Sequence, residues 1–161
     1  MSQGDVLVWR IAADTPHYVA DNMSGQGAST TGGRWNQKEL PVVYAASSRA
    51  LACLETVVHM QGAGLPLNRY LVEITIPAKL WNNATKAPIK KLVGWDASPA
   101  GKVSIDWGSD WLTHRKSVIA LVPSIVVPDE FCVLINPRHD DARQIKAKKI
   151  RLWTFDPRIK I

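Results

Sequence analysis

Hydrophobic and polar positions alternate over residues 6–11, with Val6, Val8 and Arg10 on one side and Leu7, Trp9 and Ile11 on the other, which predicts a β-strand. The same period of two returns over residues 69–77, where Tyr70, Val72, Ile74 and Ile76 share a side. Short apolar runs at 41–46, 117–127, 131–135 and 150–155 predict further strands. After the run at 41–46 the period changes. Ser47 or Ser48 stands as a helix N-cap, and Leu51, Leu54 and Val58 recur at helical spacing, predicting a helix that runs to about Met60. Residues 23–33 are rich in Gly, Ser and Thr and read as a loop. Residues 79–110 carry no clean period and read as loops with short elements. No internal repeat, low-complexity tail or linker interrupts the chain. The expectation is α+β: a strand-rich single domain over residues 1–161 with one or two main helices.

Composition narrows the class. A chain of 161 residues with 46% hydrophobic and 21% charged side chains can bury its own core, which excludes a disordered chain. No run reaches the apolar length that spans a bilayer, and no basic-then-apolar leader opens the sequence. The two cysteines, Cys53 and Cys132, make neither a disulfide framework nor a zinc site. These features predict a cytoplasmic protein without membrane contact.

The net charge of +6 is unevenly spread. Residues 1–60 hold four basic and five acidic side chains, residues 61–128 eight and four, and residues 129–161 eight and five. The basic excess therefore lies outside the segment in which most of the candidate motifs fall. A basic surface suits nucleic acid, an anionic small molecule or an acidic protein partner, and charge alone leaves that choice open.

Five places carry candidate chemistry. Gly32-Gly33-Arg34-Trp35-Asn36 closes the glycine-rich stretch; an arginine there presents a planar fork to phosphate or carboxylate, or is an ordinary surface residue. Tyr44 offers a flat surface for a ring, or half-buries in its strand. Glu55 falls within the apolar stripe of the helix, where a carboxylate must be paired, hydrogen-bonded or reach water. His59, one turn later, falls toward the polar side and reads as a surface residue. Ser124 ends the run Val122-Pro123-Ser124, without the Gly-x-Ser-x-Gly setting of a nucleophile elbow. Asn136-Pro137 is a turn signal, and the basic cluster at 143–151 reads as a solvated face. The four histidines and two cysteines show no metal-site spacing, and no P-loop or dinucleotide-fold fingerprint is present.

Taken in order, these segments resemble the RES domain, named for its Arg, Glu and Ser. The landmarks are Val8-Trp9-Arg10-Ile11, Ser24-Gly25-Gln26-Gly27-Ala28, Gly32-Gly33-Arg34-Trp35-Asn36 and Pro41-Val42-Val43-Tyr44-Ala45-Ala46. Leu54-Glu55 with Val58-His59 follow, then Trp107-Gly108 with Trp111-Leu112, Val122-Pro123-Ser124, Ile135-Asn136-Pro137 and His139. The similarity spans nearly the whole chain. It departs at Gln37-Lys38-Glu39-Leu40, where relatives often carry a glycine before the Pro-Val-Val-Tyr strand.

The resemblance implies a fold similar to ADP-ribosyltransferases of the diphtheria-toxin kind. It implies a toxin of a toxin–antitoxin pair that depletes NAD by breaking the nicotinamide–ribose bond, with water or inorganic phosphate as the acceptor. NAD is then a substrate, no metal or other cofactor is called for, and the partner is an Xre-type antitoxin with a helix-turn-helix module. The toxin itself is not expected to bind nucleic acid. By the motif match Arg34, Glu55 and Ser124 are the family's three letters, with Ser117 close by as the other choice of serine; Tyr44 matches a site tyrosine. Arg10, Gly33, Trp35, Asn36 and Asn136 complete the implied substrate-binding set. The residue types suit the chemistry, because nicotinamide in NAD is already a cation and leaves without a proton, so one carboxylate suffices where a glycosidase uses two. Rival readings are transfer of ADP-ribose to a protein or nucleic acid, a basic nucleic-acid-binding or nuclease-like toxin, and an interaction domain without activity.

Overall fold

The computed structural model describes residues 4–60 and 64–159. Among these, strands β1 (Val6–Ala12), β2 (Val43–Ala46), β3 (Tyr70–Ile76), β4 (Thr85–Lys86), β5 (Ile119–Pro123), β6 (Phe131–Ile135) and β7 (Lys146–Leu152) form one sheet in the order β4-β5-β6-β2-β1-β3-β7. Every pairing is antiparallel except β4 with β5. Helices α1 (Gln26–Thr31), α2 (Arg49–Val58), α3 (Ala78–Asn82) and α4 (Lys102–His114) lie between them.

The alternation read from the sequence sorts side chains onto two faces. Val8, Val43, Val72, Ile74, Ile119 and Val133 point to one face and merge into one core. The opposite face carries two separate cores. Trp9, Ile11, Ala46 and Leu71 pack beneath Leu51, Ala52 and Val57 of α2. Ala120, Val122 and Leu134 pack beneath Trp35, Trp95 and the α4 residues Trp111 and Leu112. Each fully buried aliphatic side chain contributes about 1.5–3 kcal/mol from leaving water, so both helices are held chiefly by these faces.

The seam between the two cores follows from strand pairing. β1 pairs with β3 along its whole length, from Val6 opposite Ile76 to Ala12 opposite Tyr70. Toward β2 it pairs at a single position, Trp9 opposite Ala46. Beyond that pair the strands part, and α2 crosses above the opening.

α2 starts as expected: the Ser48 hydroxyl accepts from the Leu51 N–H at 3.1 Å. The Arg49 guanidinium stacks 3.8 Å above the Trp9 ring and pins the first turn to β1. The expected stripe needs correction. Leu54 and Val58 are 43% and 37% exposed, while Leu51, Ala52 and Val57 are buried. The buried face is rotated toward the small Ala52, which lets the helix sit closer to the sheet than a leucine would.

Three further expectations change. Residues 79–110 include most of the thirteen-residue helix α4, which a search for large apolar residues misses because its contact face is built from Ser104, Gly108 and Ser109 as well as Trp111 and Leu112. Gly108 lies against the chain at Trp35: a Cβ there would stand 1.8 Å from the Trp35 carbonyl oxygen. The glycine-rich stretch at 23–33 contains α1, a short helix with no buried residue and no side-chain cap. The strand expected at 150–155 runs instead over Lys146–Leu152, so the basic cluster is itself an edge strand, exposed along most of its length. Lysines are the usual charge on such an edge because they discourage pairing with other chains. The expected strand at 117–127 ends at Pro123, where the Ser124 turn begins.

Candidate active site

The opening between β1 and β2 widens into a cleft of two lobes. The larger, about 260 Å³, lies between Trp9, Arg10 and Ile11 of β1 and Tyr44, Ala45 and Ala46 of β2, under Glu55 and Thr56 of α2. The smaller, about 120 Å³, is walled by Arg34, Trp35, Pro123 and Ile125. Tyr44, Glu55, His59 and Cys132 belong to both, so the lobes meet around the Glu55 carboxylate.

Glu55 is held from beneath. Ser124, fully buried, donates its hydroxyl to Glu55 Oε1 at 2.6 Å. The Ser124 hydroxyl oxygen in turn accepts the N–H groups of Val126 at 3.1 Å and Val127 at 3.0 Å. A hydroxyl has one hydrogen and two lone pairs, and here all three are used. The hydrogen faces the carboxylate, so Glu55 Oε1 is the acceptor of this bond. Cys132 Sγ lies 3.5 Å from the same Oε1. Burial, then the adjacent Glu55 carboxylate, push that thiol far above its ordinary range, so Cys132 is a protonated weak donor and not a nucleophilic thiolate.

Tyr44 stands between the lobes. Its hydroxyl donates to Asn36 Oδ1 at 2.6 Å and accepts the Trp35 N–H at 3.1 Å. Burial raises its pKa and keeps the phenol protonated. Asn36 donates in turn to the carbonyls of Ala28, Gln37 and Leu40, at 2.9, 3.2 and 3.1 Å. Gly33 backs this pair: a Cβ on it would stand 2.8 Å from the Tyr44 hydroxyl and 2.9 Å from Asn36 Oδ1.

These contacts correct three expected substrate contacts. Asn36 is buried with its amide consumed, and it and Gly33 form the socket of Tyr44 without lining either lobe. Asn136 donates to the Leu112 carbonyl and accepts the Arg138 N–H, each at 3.1 Å, outside both lobes. The turn signal in Asn-Pro accounts for it. Trp35 does wall the smaller lobe, packed against Trp95 and Trp107 at ring separations of 6.2 and 5.7 Å. Ser117 is spent elsewhere: it donates to the Ile119 carbonyl, accepts from Trp111 Nε1 and bonds Thr85. Of the two candidate serines, Ser124 reaches Glu55.

Two guanidinium groups flank the carboxylate. Arg34 Nη1 donates to the carbonyls of Trp95 and Ala97, both at 2.8 Å, which fixes the side chain. Its Nε and Nη2 have no acceptor among the described residues. Arg10 Nη1 donates to the Asn22 carbonyl at 3.1 Å. Burial lowers the Arg10 pKa, against a smaller opposing effect of Tyr18, yet an arginine stays charged. Among the described residues neither arginine has a carboxylate within ion-pair distance. Half-buried cations without counter-ions are costly, and an anionic ligand between them would relieve that cost.

The sequence reading places His59 on the surface, where it is indeed exposed, but assigns neither His59 nor Cys132 to the site, and both line the cleft. His59 lies four residues after Glu55, on the same helical face, and that spacing was the available signal. Cys132 gave no signal, since its place depends on β6 lying beside β2. Among the described residues no three His, Cys, Asp or Glu side chains gather as a metal site, and no helix is long and apolar enough to cross a membrane.

The profile of the RES domain matches residues 7–157. The chain belongs to the RES domain family. Relatives of this RES chain include the Prs ADP-ribosylating toxin of Sphingobium sp. (strain YBL2), 57% identical over 152 residues that make up 94% of each protein. Toxin Res of Yersinia enterocolitica is 38% identical over 144 residues, 89% of this chain and 93% of that one. Among solved structures, a chain from the M. tuberculosis MbcT–MbcA toxin–antitoxin complex shares the fold with a TM-score of 0.64 at 17% identity, covering 91% of this chain and 84% of that one. The α+β, strand-rich single-sheet architecture expected from the sequence is the one found, and it is shared with that solved chain.

Proposed function

We propose that this RES chain is the toxin of a toxin–antitoxin pair and that its cleft breaks the nicotinamide–ribose bond of NAD, depleting the dinucleotide. One observation supports the reading: a carboxylate, Glu55, oriented by a buried serine and flanked by two guanidiniums that have no carboxylate within ion-pair distance among the described residues. Arg10 and the free edge of Arg34 suit the pyrophosphate, and the ring of Tyr44 with Trp35 and Ile125 suits the flat nicotinamide. Glu55 then faces the ribose. As the bond breaks, positive charge grows on the ribose while nicotinamide leaves as a neutral molecule with the bonding electrons. A fixed carboxylate stabilises that charge without reorganising. Ser124, its only hydrogen committed, orients Glu55 and takes no proton itself. NAD is a substrate, not a resident cofactor.

The test is release of free nicotinamide from NAD by purified protein. Glu55→Gln is expected to lower the rate about a hundredfold to a thousandfold; full turnover in that variant would remove Glu55 from the mechanism. Arg34→Lys, which cannot offer a planar fork, is expected to raise KM for NAD.

The name of the relative at 57% identity favours a second reading, in which ADP-ribose passes to a protein; Prs is the first acceptor to offer. Both readings share the bond-breaking step. A mass increase on the acceptor selects transfer, and nicotinamide release without any acceptor selects depletion. The toxin names of the relatives and the complex seen in the structural relative support an antitoxin partner, and we take it to be of the Xre type. Growth arrest on expression without that partner, and its relief on co-expression, test this part.

A further inference from the structure

We propose that His59 accepts the proton of the incoming nucleophile once nicotinamide has left, a role that no other residue of the cleft fills. The inference rests on the NAD-cleaving reading and concerns its second half.

His59 ends α2 and borders both lobes beside Glu55 and Tyr44, yet it is solvent-exposed where those two are half-buried. It therefore stands at the mouth of the cleft, on the side from which an acceptor arrives. Its backbone N–H turns back to the Thr56 and Val57 carbonyls, which leaves the Glu55 carbonyl without its usual helical donor. His59 Nδ1 fills that vacancy at 2.6 Å. A carbonyl only accepts, so Nδ1 carries a hydrogen, and in the neutral ring Nε2 then bears the lone pair. Among the described residues Nε2 has no hydrogen-bond partner. The other groups at the junction are unsuited to take a proton: Ser124 has both lone pairs filled, the Cys132 thiol and Tyr44 phenol are protonated, and Glu55 is engaged with developing charge.

The step balances as follows. The C–N bond breaks with its electron pair going to nicotinamide, which becomes neutral, and the ribose carbon is left cationic. An oxygen or nitrogen nucleophile bearing a hydrogen (water, or a hydroxyl or amine of a protein) forms the new bond to that carbon. Its proton passes to His59 Nε2, giving the imidazolium, which loses it to solvent. Such proton acceptance contributes about 10²–10⁴ in rate.

The competing role is purely structural, since the same ring caps the helix. His59→Ala and His59→Asn separate the two, because asparagine keeps a donor for the Glu55 carbonyl but places no base in the cleft. Nicotinamide release, KM for NAD and thermal melting are measured for both, with and without added imidazole. The expected result is a loss of at least about tenfold in kcat in both variants, an unchanged KM, and recovery of the rate by free imidazole. Wild-type turnover in His59→Ala overturns the inference. So does a loss in His59→Ala that tracks a lowered melting temperature, is restored by asparagine and ignores imidazole. A wild-type protein that releases no nicotinamide overturns the NAD reading itself, and the inference with it.

Discussion

Ser124 shows how one small side chain fixes the chemistry available to its neighbour. With its two lone pairs taken by Val126 and Val127, its hydrogen has one destination, Glu55. Ser124→Ala is expected to slow nicotinamide release about ten- to a hundredfold, the worth of a hydrogen bond to a charged group. It should also cost about 1–3 kcal/mol of stability from the two amides left unpaired, read from denaturant unfolding. Glu39 is a second case. It holds a φ of +75°, in the left-handed region, with its N–H donated to the Ser29 carbonyl at 2.7 Å. That is the stretch where the RES resemblance anticipates a glycine. Glu39→Gly should stabilise the protein by about 0.5–1 kcal/mol, the relief of backbone strain less the added freedom of the unfolded chain, seen as a raised denaturation midpoint. Arg34, Glu55 and Ser124 were legible in the chain as motif positions, but nothing in the motifs told that Asn36 and Gly33 would serve the tyrosine and not the ligand.

Among the elements, those with large side chains in regular alternation were legible: β1, β3 and β6 lie where the pattern places them. α4 was hidden because close packing against Trp35 demands small residues, and small residues carry no period. β7 was legible only at its end, residues 150–152, because an exposed edge strand keeps charged residues on both faces and its basic start carries no apolar pattern. That edge has its own device. Asp14 bonds Lys149 of β7 at 2.9 Å, accepts the Ala20 N–H at 2.7 Å, and so fastens the segment that brings the Asn22 carbonyl to Arg10. The bond from Lys149, then the Ala20 N–H, hold the Asp14 pKa below its ordinary value. The unfolded chain binds the proton more readily, so this contribution is present above the ordinary carboxylate value, about 3.9, and is lost as pH falls through the lower folded value. Asp14→Asn should flatten the acid limb of a stability–pH curve measured by thermal melting, and raise KM for NAD through the loosened Arg10.

At the scale of the whole molecule, the cleft exists because two parts of one sheet share a single pair at their boundary, Trp9 with Ala46. No local pattern announces that. Residues 10, 34, 44, 55 and 124 converge only when β1 leaves β2 and α2 spans the gap, and strand pairing, not periodicity, decides it. Hydrogen exchange should report the boundary directly. Amides of β1 and β2 that line the opening are expected to exchange at least about tenfold faster than those of the continuous β1–β3 ladder, and NAD should slow them. Equal protection on both edges of β1 would contradict the open boundary.

The order in which the walls are made has a bearing on synthesis. Arg10 leaves the ribosome early, but Ser124 and Cys132 come from the last quarter of the chain, and β2 has no neighbour on its outer side until β6 emerges. A growing polypeptide therefore carries its carboxylate long before that carboxylate is aimed. Translation cut short before β6 therefore yields fragments that carry Glu55 and Arg34 but an unfinished pocket.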